Sequence, residues 1–279
     1  MQTTPTSQPP LSDAEQALQS WQIEYTKRSD GTIFVAGDIN LWNKNLSQLP
    51  DLSAVVVQGN FICDNNNLTS LKGAPRAVGG NFSCDHNVLK DLQGAPKTVG
   101  GYFSCSHNEL GDLYGAPQTV GGGFWCKYNN LISLNGAPSS VGGDFECQYN
   151  CLGSLQGAPA SVGGDFVCYD NLLTNLLGAP ARVGGSFWCE NNRLVTLEGA
   201  PLSVGNEFRC HDNPALASLA HAPEVFRVMY TNWGAFNSWA QVPDNIKTPS
   251  ASAAPAQTAQ DIGVMQPAST IRRRAPKGP

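Results

Sequence analysis

The chain has 279 residues, including 29 glycines and 19 prolines. That share is too small and too regularly placed for collagen, and it sits among too many Phe, Leu and Val residues for simple disorder. Only 14% of residues are charged and the net charge is −5, which disfavours a nucleic-acid partner for the body of the protein.

No apolar run is long enough for a membrane-spanning helix. Met1–Pro10 has neither a basic start nor an apolar stretch, so no Sec-type leader is expected. The expected location is the reducing cytoplasm, or the exterior by a route that needs no such leader.

Residues 1–11 read as a disordered N-terminus and residues 12–31 as a helical cap. Ser12-Asp13-Ala14-Glu15 has the form of a capping box, followed by Ala14, Ala17, Leu18, Trp21 and Tyr25 at helical spacing. The expected helix runs from Asp13 to about Lys27. Residues 32–243 read as a solenoid with its own C-terminal cap. It opens on a degenerate coil carrying Ile39, Leu41, Leu46 and Leu49.

A regular array follows. Cysteines at 63, 84, 105, 126, 147, 168, 189 and 210 recur every 21 residues. Phenylalanines from Phe61 to Phe208 and asparagines at Asn66, Asn87, Asn108, Asn129, Asn150, Asn171, Asn192 and Asn213 keep the same step. Gly-Ala-Pro and Val-Gly-Gly fill the intervals. A fixed period of this length is the mark of a solenoid.

Val78, Gly80, Phe82 and Cys84 share a parity, so they face inward on one short strand per coil. The asparagines fall where the chain turns. Stacked inward amides there bond main-chain groups and form a structural ladder. The fold class is therefore a mainly β repeat solenoid of 21-residue coils with parallel strands.

The core Phe82-x-Cys84-x-x-Asn87-x-Leu89-x-x-Leu92 resembles a leucine-rich repeat, with Phe and Cys at two aliphatic positions. Ala95-Pro96 falls where the short bacterial type carries Leu-Pro, so that subclass is the nearest in pattern. The resemblance implies repeat arrays like those of type III secreted effectors, or of phage and bacterial Gly-Ala-Pro/Val-Gly-Gly proteins. Effectors of this kind often carry a ubiquitin-ligase domain with a catalytic cysteine. Only 69 residues follow Cys210, none of them Cys, so that domain is not expected.

Nine cysteines invite a metal reading, but no Cys-x-x-Cys pair exists and stacked parallel strands do not converge their ligands. No metal site is expected. Eight inward thiols behave as small core hydrophobes, while Cys151 breaks the phase and falls at a variable, exposed position. His86 and His107 lie two residues after a core cysteine, on the solvent side. The Gly-Gly pairs lack the following helix and lysine of a phosphate cradle, so they read as structural. No catalytic arrangement and no cofactor motif stands out, and no enzyme activity is expected.

The informative positions are those the repeat leaves free. Asp85, Tyr102, Trp125, Lys127, Glu146, Tyr169, Trp188, Glu190 and Arg209 share the outward face of the strands. Exposed aromatic and arginine anchors within a polar rim suit binding surfaces. The leading expectation is a non-enzymatic scaffold that holds a protein or peptide partner on a concave strand face, in the setting of a bacterial secreted effector. A phage or bacterial structural spacer is one alternative. A glycan-binding module that stacks sugars on its aromatics is the other.

Downstream, Phe226, Val228, Tyr230, Trp233, Phe236 and Trp239 are expected to cover the last coil. Residues 244–279 read as a disordered tail. The tail carries five basic residues, among them Arg272, Arg273, Arg274 and Lys277, against two acidic ones. It is basic where the body is acidic.

Overall fold

The computed structural model describes residues 11–247, and they form a parallel β-solenoid. Each coil supplies two short strands rather than the one expected. Val78 ends the strand Ala77–Val78 of sheet A, which has ten strands, and Phe82–Ser83 belongs to sheet B, which has eleven. Gly79-Gly80 turns the corner between them.

Parity nevertheless places the inward residues correctly. Val78, Phe82 and Cys84 are all buried. The reason for the break is close approach. A Cβ on Gly100 would lie 2.1 Å from the Gly79 carbonyl oxygen of the preceding coil. Glycine lets the corners stack, and the inter-coil hydrogen bonds continue through them, with Gly100 donating to Val78 and Gly101 to Gly80.

Register is set residue for residue by the period. Phe82 pairs with Phe103, and Phe103 with Phe124. The eight phenylalanines are fully buried and stacked, with ring centroids 5.1–5.7 Å apart. Leu89, Leu92 and their equivalents fill the rest of the core. The Gly-Ala-Pro glycine adopts a positive φ near +90° in each coil, which explains its place at that turn.

The inward cysteines are free and buried, while Cys151 is exposed. Burial raises the ladder thiols far above their ordinary range, so they persist as S–H groups. Several donate to the next coil, as Cys84 does to the Ser104 carbonyl oxygen at 3.3 Å. These thiols bond main chain as well as fill space.

Each asparagine of the ladder joins its own coil to the preceding one. The Asn87 amide donates to the carbonyl oxygens of Cys63, Cys84 and Asp85, and its oxygen accepts from the Leu68 N–H. The residue before each of these asparagines, from Asn65 to Asp212, has a left-handed φ of 51–57°. Eight non-glycine residues in that region are tolerated because the following asparagine and the inter-coil bonds fix the turn.

The ends differ from expectation in three places. Helix α1 spans Asp13–Ser20 and carries the capping box at Ser12 and Glu15, but it stops well short of Lys27. Trp21 caps it, Gln22 takes a left-handed φ, and Thr26–Lys27 instead pairs antiparallel with Ile33–Val35. At the other end Val228–Thr231 and Gly234–Phe236 form an antiparallel hairpin that closes sheet B. Met229 and Phe236 are buried there, while Tyr230 and Trp233 are exposed.

Helical structure also continues past the expected boundary at Pro243. Helix α2, Asp244–Lys247, buries Ile246, whose carbonyl oxygen accepts from the Leu219 N–H. The rest of the expected basic tail, and residues 1–10, lie outside the described residues. Among the described residues no helix is long and apolar enough to cross a membrane.

Candidate binding face on sheet B

The outward side chains of sheet B form three columns along the solenoid. One precedes the phenylalanines (Tyr102, Asp144, Asp165), one follows them (Trp125, Glu146, Trp188, Arg209), and one follows the cysteines (Asp85, Lys127, Tyr169, Glu190). All nine expected partner residues lie on this face, as strand alternation requires. They do not stand free in solvent, however. Every one is half-buried against its neighbours in adjacent coils.

Two clusters account for the shelter. Tyr102 stacks on Trp125 at 4.4 Å, and the Lys127 ammonium lies 6.0 Å from the same indole. Lys127 also pairs with Glu146 at 2.7 Å. Gly123 makes room for this packing, since a Cβ there would come within 2.9 Å of the Trp125 Nε1. Further along, the Arg209 guanidinium lies 4.4 Å from the Trp188 ring and 5.5 Å from Tyr230, and it pairs with Glu207. Neither tryptophan is the bare anchor expected, because each already carries a partner on its ring face.

Five side-chain atoms on this face are shielded from solvent without a hydrogen-bond partner among the described residues. They are Trp125 Nε1, Gln148 Oε1, Trp188 Nε1, Glu190 Oε2 and His211 Nδ1. Unsatisfied buried polar groups are uncommon in folded proteins and call for a partner.

The N-terminal part of the face is different in character. Asp85 accepts from the Ser104 hydroxyl at 2.6 Å and from the Ser106 N–H at 2.7 Å, while its own N–H donates to Asp64. Burial pushes the Asp85 carboxyl up to about 6; the charge of Asp64 adds to the push, and the Ser104 and Ser106 hydrogen bonds oppose it.

A raised folded pKa means that ionisation destabilises the fold. The stability gained by protonating Asp85 is fully present below about pH 4 and is lost as pH rises through 6. Asp85→Asn keeps the acceptor oxygen and removes the charge. We expect it to be more stable than the wild type at pH 7.5, by on the order of 1 kcal/mol after solvent screening, and equal to it near pH 4. Urea melts of both proteins across that range measure the difference. A gap that does not close on acidification contradicts the assignment.

A column of left-handed residues flanks the face and was not foreseen as a unit. His86, His107, Tyr128 and Tyr149 form a continuous ring stack with centroids 4.2–4.4 Å apart. Aligning the chain at the 21-residue step reveals it, because all four residues precede a ladder asparagine. Cys84 faces the core while His86 is exposed, so the two do not converge on a common metal. No group of three or more His, Cys, Asp or Glu side chains suited to a metal ion occurs among the described residues. The Gly-Gly pairs pack closely against the corners of neighbouring coils.

No family model matches this chain, and no curated protein is significantly similar to it.

Proposed function

We propose that the chain is a non-enzymatic scaffold, related in plan to the short bacterial leucine-rich repeats, that takes a protein or peptide partner on the outer face of sheet B. The contrast between the two sheets carries this reading. They share one period and one regular core. Yet the outward column of sheet A, after Phe34 (with Arg28 on its ring) and Val56 at its N-terminal end, runs Ala77, Thr98, Thr119, Ser140, Ser161, Arg182 and Ser203, mostly small residues. Sheet B sets Tyr102, Trp125, Trp188 and Arg209 in the equivalent rows. Preassembled aromatic–cation clusters of this kind place large contact groups at low entropic cost, as binding hot spots do.

A glycan reading has less support. Sugar stacking needs open ring faces, and Tyr102 and Arg209 already cover one face of each tryptophan. The effector setting belongs to the proposal through the repeat's resemblance alone. A spacer role predicts no dependence on these side chains.

Affinity capture with the wild type and with Trp125→Ala/Trp188→Ala tests the proposal. We expect a partner held by the wild type and lost at least tenfold by the variant, with Ala77→Ser as a matched change on sheet A that leaves capture intact. Melts confirm that the double variant remains folded. Capture that is indifferent to both tryptophans contradicts the assignment of this face.

A further inference from the structure

The unsatisfied atoms on sheet B specify a ligand chemistry. Two of them are acceptors in the same column, Gln148 Oε1 and Glu190 Oε2. Gln148 is only 5% exposed, and its amide nitrogen is spent on Glu146 at 3.2 Å. The two cations on this face are engaged elsewhere, Lys127 with Glu146 and Arg209 with Glu207. Burial raises the Glu190 carboxyl, while its own main-chain N–H and the charges of His211 and Arg209 oppose the rise. Gln148 Oε1 and Glu190 Oε2 themselves lack donors, and a ligand bearing ammonium or guanidinium groups supplies them.

Spacing narrows the ligand further. Gln148 and Glu190 are two coils apart, so about 10 Å separates them at ~4.8 Å per strand. Tyr169 lies between them in the same column. An extended polyproline-type segment rises ~3.1 Å per residue with three residues per turn, so residues i and i+3 share a side about 9 Å apart. The matching ligand is basic at i and i+3, with a proline near the middle to pack on Tyr169.

The chain itself contains such a segment. Arg274-Ala275-Pro276-Lys277 has cations three apart, and a proline disfavours helical geometry at the residue before it. It lies 27 residues beyond Lys247, a span of up to roughly 90 Å at full extension. The described chain ends at Lys247, where the Ile246 carbonyl oxygen accepts from the Leu219 N–H in the coil of Cys210, three coils on from Gln148. Charge favours the contact too, since the body is acidic and this segment basic.

We propose that Arg274–Lys277 docks on the outer face of sheet B across Gln148, Tyr169 and Glu190, and so occupies the face in competition with an external partner. The inference rests on the reading of this face as a binding surface and adds the class of ligand it takes.

The probe is a fluorescein-labelled peptide of residues 268–279, titrated into two full-length chains, the wild type and Arg274→Ala/Lys277→Ala. In the wild type the tethered segment is present at an effective concentration of about 1 mM. A site with a Kd of ~100 µM therefore binds the added peptide roughly tenfold more weakly in the wild type than in the variant. We expect that tenfold gap, independent of protein concentration as a contact within one chain requires.

Adding Glu190→Gln to the variant should abolish the binding, with the fold checked by melting. Raising salt from about 20 mM to about 150 mM should weaken it severalfold. Equal affinity for both chains, a gap that varies with protein concentration, or no effect of Glu190→Gln overturns the proposal. Binding to neither chain overturns it as well. In that case partner capture lost with Trp125 and Trp188 still supports the face as a surface, so the two failures are distinguishable.

Discussion

Gly142→Ala should lower the melting temperature by several degrees, although it adds a single methyl group. The φ of Gly142 lies outside the left-handed region, so its backbone conformation accepts alanine. The cost lies wholly in approach. The new Cβ would sit 2.0 Å from the Gly121 carbonyl oxygen in the preceding coil. That neighbour is backbone, bound into the inter-coil ladder, and cannot rotate away as a side chain would.

Relief requires the corner to open, and Gly163 stacks on Gly142 as closely, with no room for a Cβ between them, so the displacement passes on. Overpacking of a tight site costs about 1–3 kcal/mol, and a backbone clash belongs at the upper end. In a quasi-one-dimensional array this loss falls on the interface between neighbouring coils. Gly153→Ala is the control, because its Cβ meets nothing within 4 Å. It should be neutral or stabilising by up to about 1 kcal/mol, through the unfolded chain. Identical melts for the two variants would show that the glycine corner does not set the distance between coils.

These corners also mark the limit of what the sequence discloses. The 21-residue period, the inward Phe and Cys, the asparagine ladder and the capping box at Ser12 were all legible, because each is a local pattern repeated in phase or a local hydrogen-bond rule. Two sheets were not. Val78-Gly79-Gly80-Asn81-Phe82 satisfies strand parity throughout, and parity does not register that stacked glycines let the chain turn between Val78 and Phe82. The end of α1 was misjudged for a related reason. Trp21 and Tyr25 continue the helical spacing, but Thr26–Lys27 gains a strand partner in Ile33–Val35 that spacing alone does not reveal.

Alternation put the nine candidate residues together on one face, that of sheet B. Their burial was not legible, since it comes from neighbours 21 residues away. Trp125 is covered by Tyr102, and Trp188 by Arg209, through register rather than local sequence. The same holds for Gln148 and Glu190, whose lack of partners appears only once Lys127 and Arg209 are seen to be spent on Glu146 and Glu207.

Asn129→Ala is expected to be among the most damaging substitutions of a polar residue in the array. The Asn129 Oδ1 accepts from the Leu110 N–H at 3.1 Å, and its Nδ2 lies 3.0–3.3 Å from the carbonyl oxygens of Cys105, Cys126 and Lys127. An amide nitrogen has two hydrogens, so the three carbonyls share them and no single contact is the whole effect. Alanine leaves the Leu110 N–H and the shared carbonyls buried without partners. An unsatisfied buried group costs about 1–3 kcal/mol. Water entering the small cavity recovers part of the loss, and about 3 kcal/mol remains as the expected net effect.

Asn129→Asp separates the donor side from the acceptor side. It retains the oxygen for Leu110 but turns a donor into an acceptor against three carbonyls, so it should be at least as damaging at pH 7. It should improve on acidification, as the carboxyl gains a proton to donate. Asn130→Ala, one residue on and exposed, should stay within about 0.5 kcal/mol of the wild type. Urea melts of the three variants decide the matter. If Asn129→Ala melts with Asn130→Ala, the ladder contributes nothing to cohesion between coils. If Asn129→Asp is well tolerated at pH 7, the amide nitrogen is not the group that joins one coil to the next.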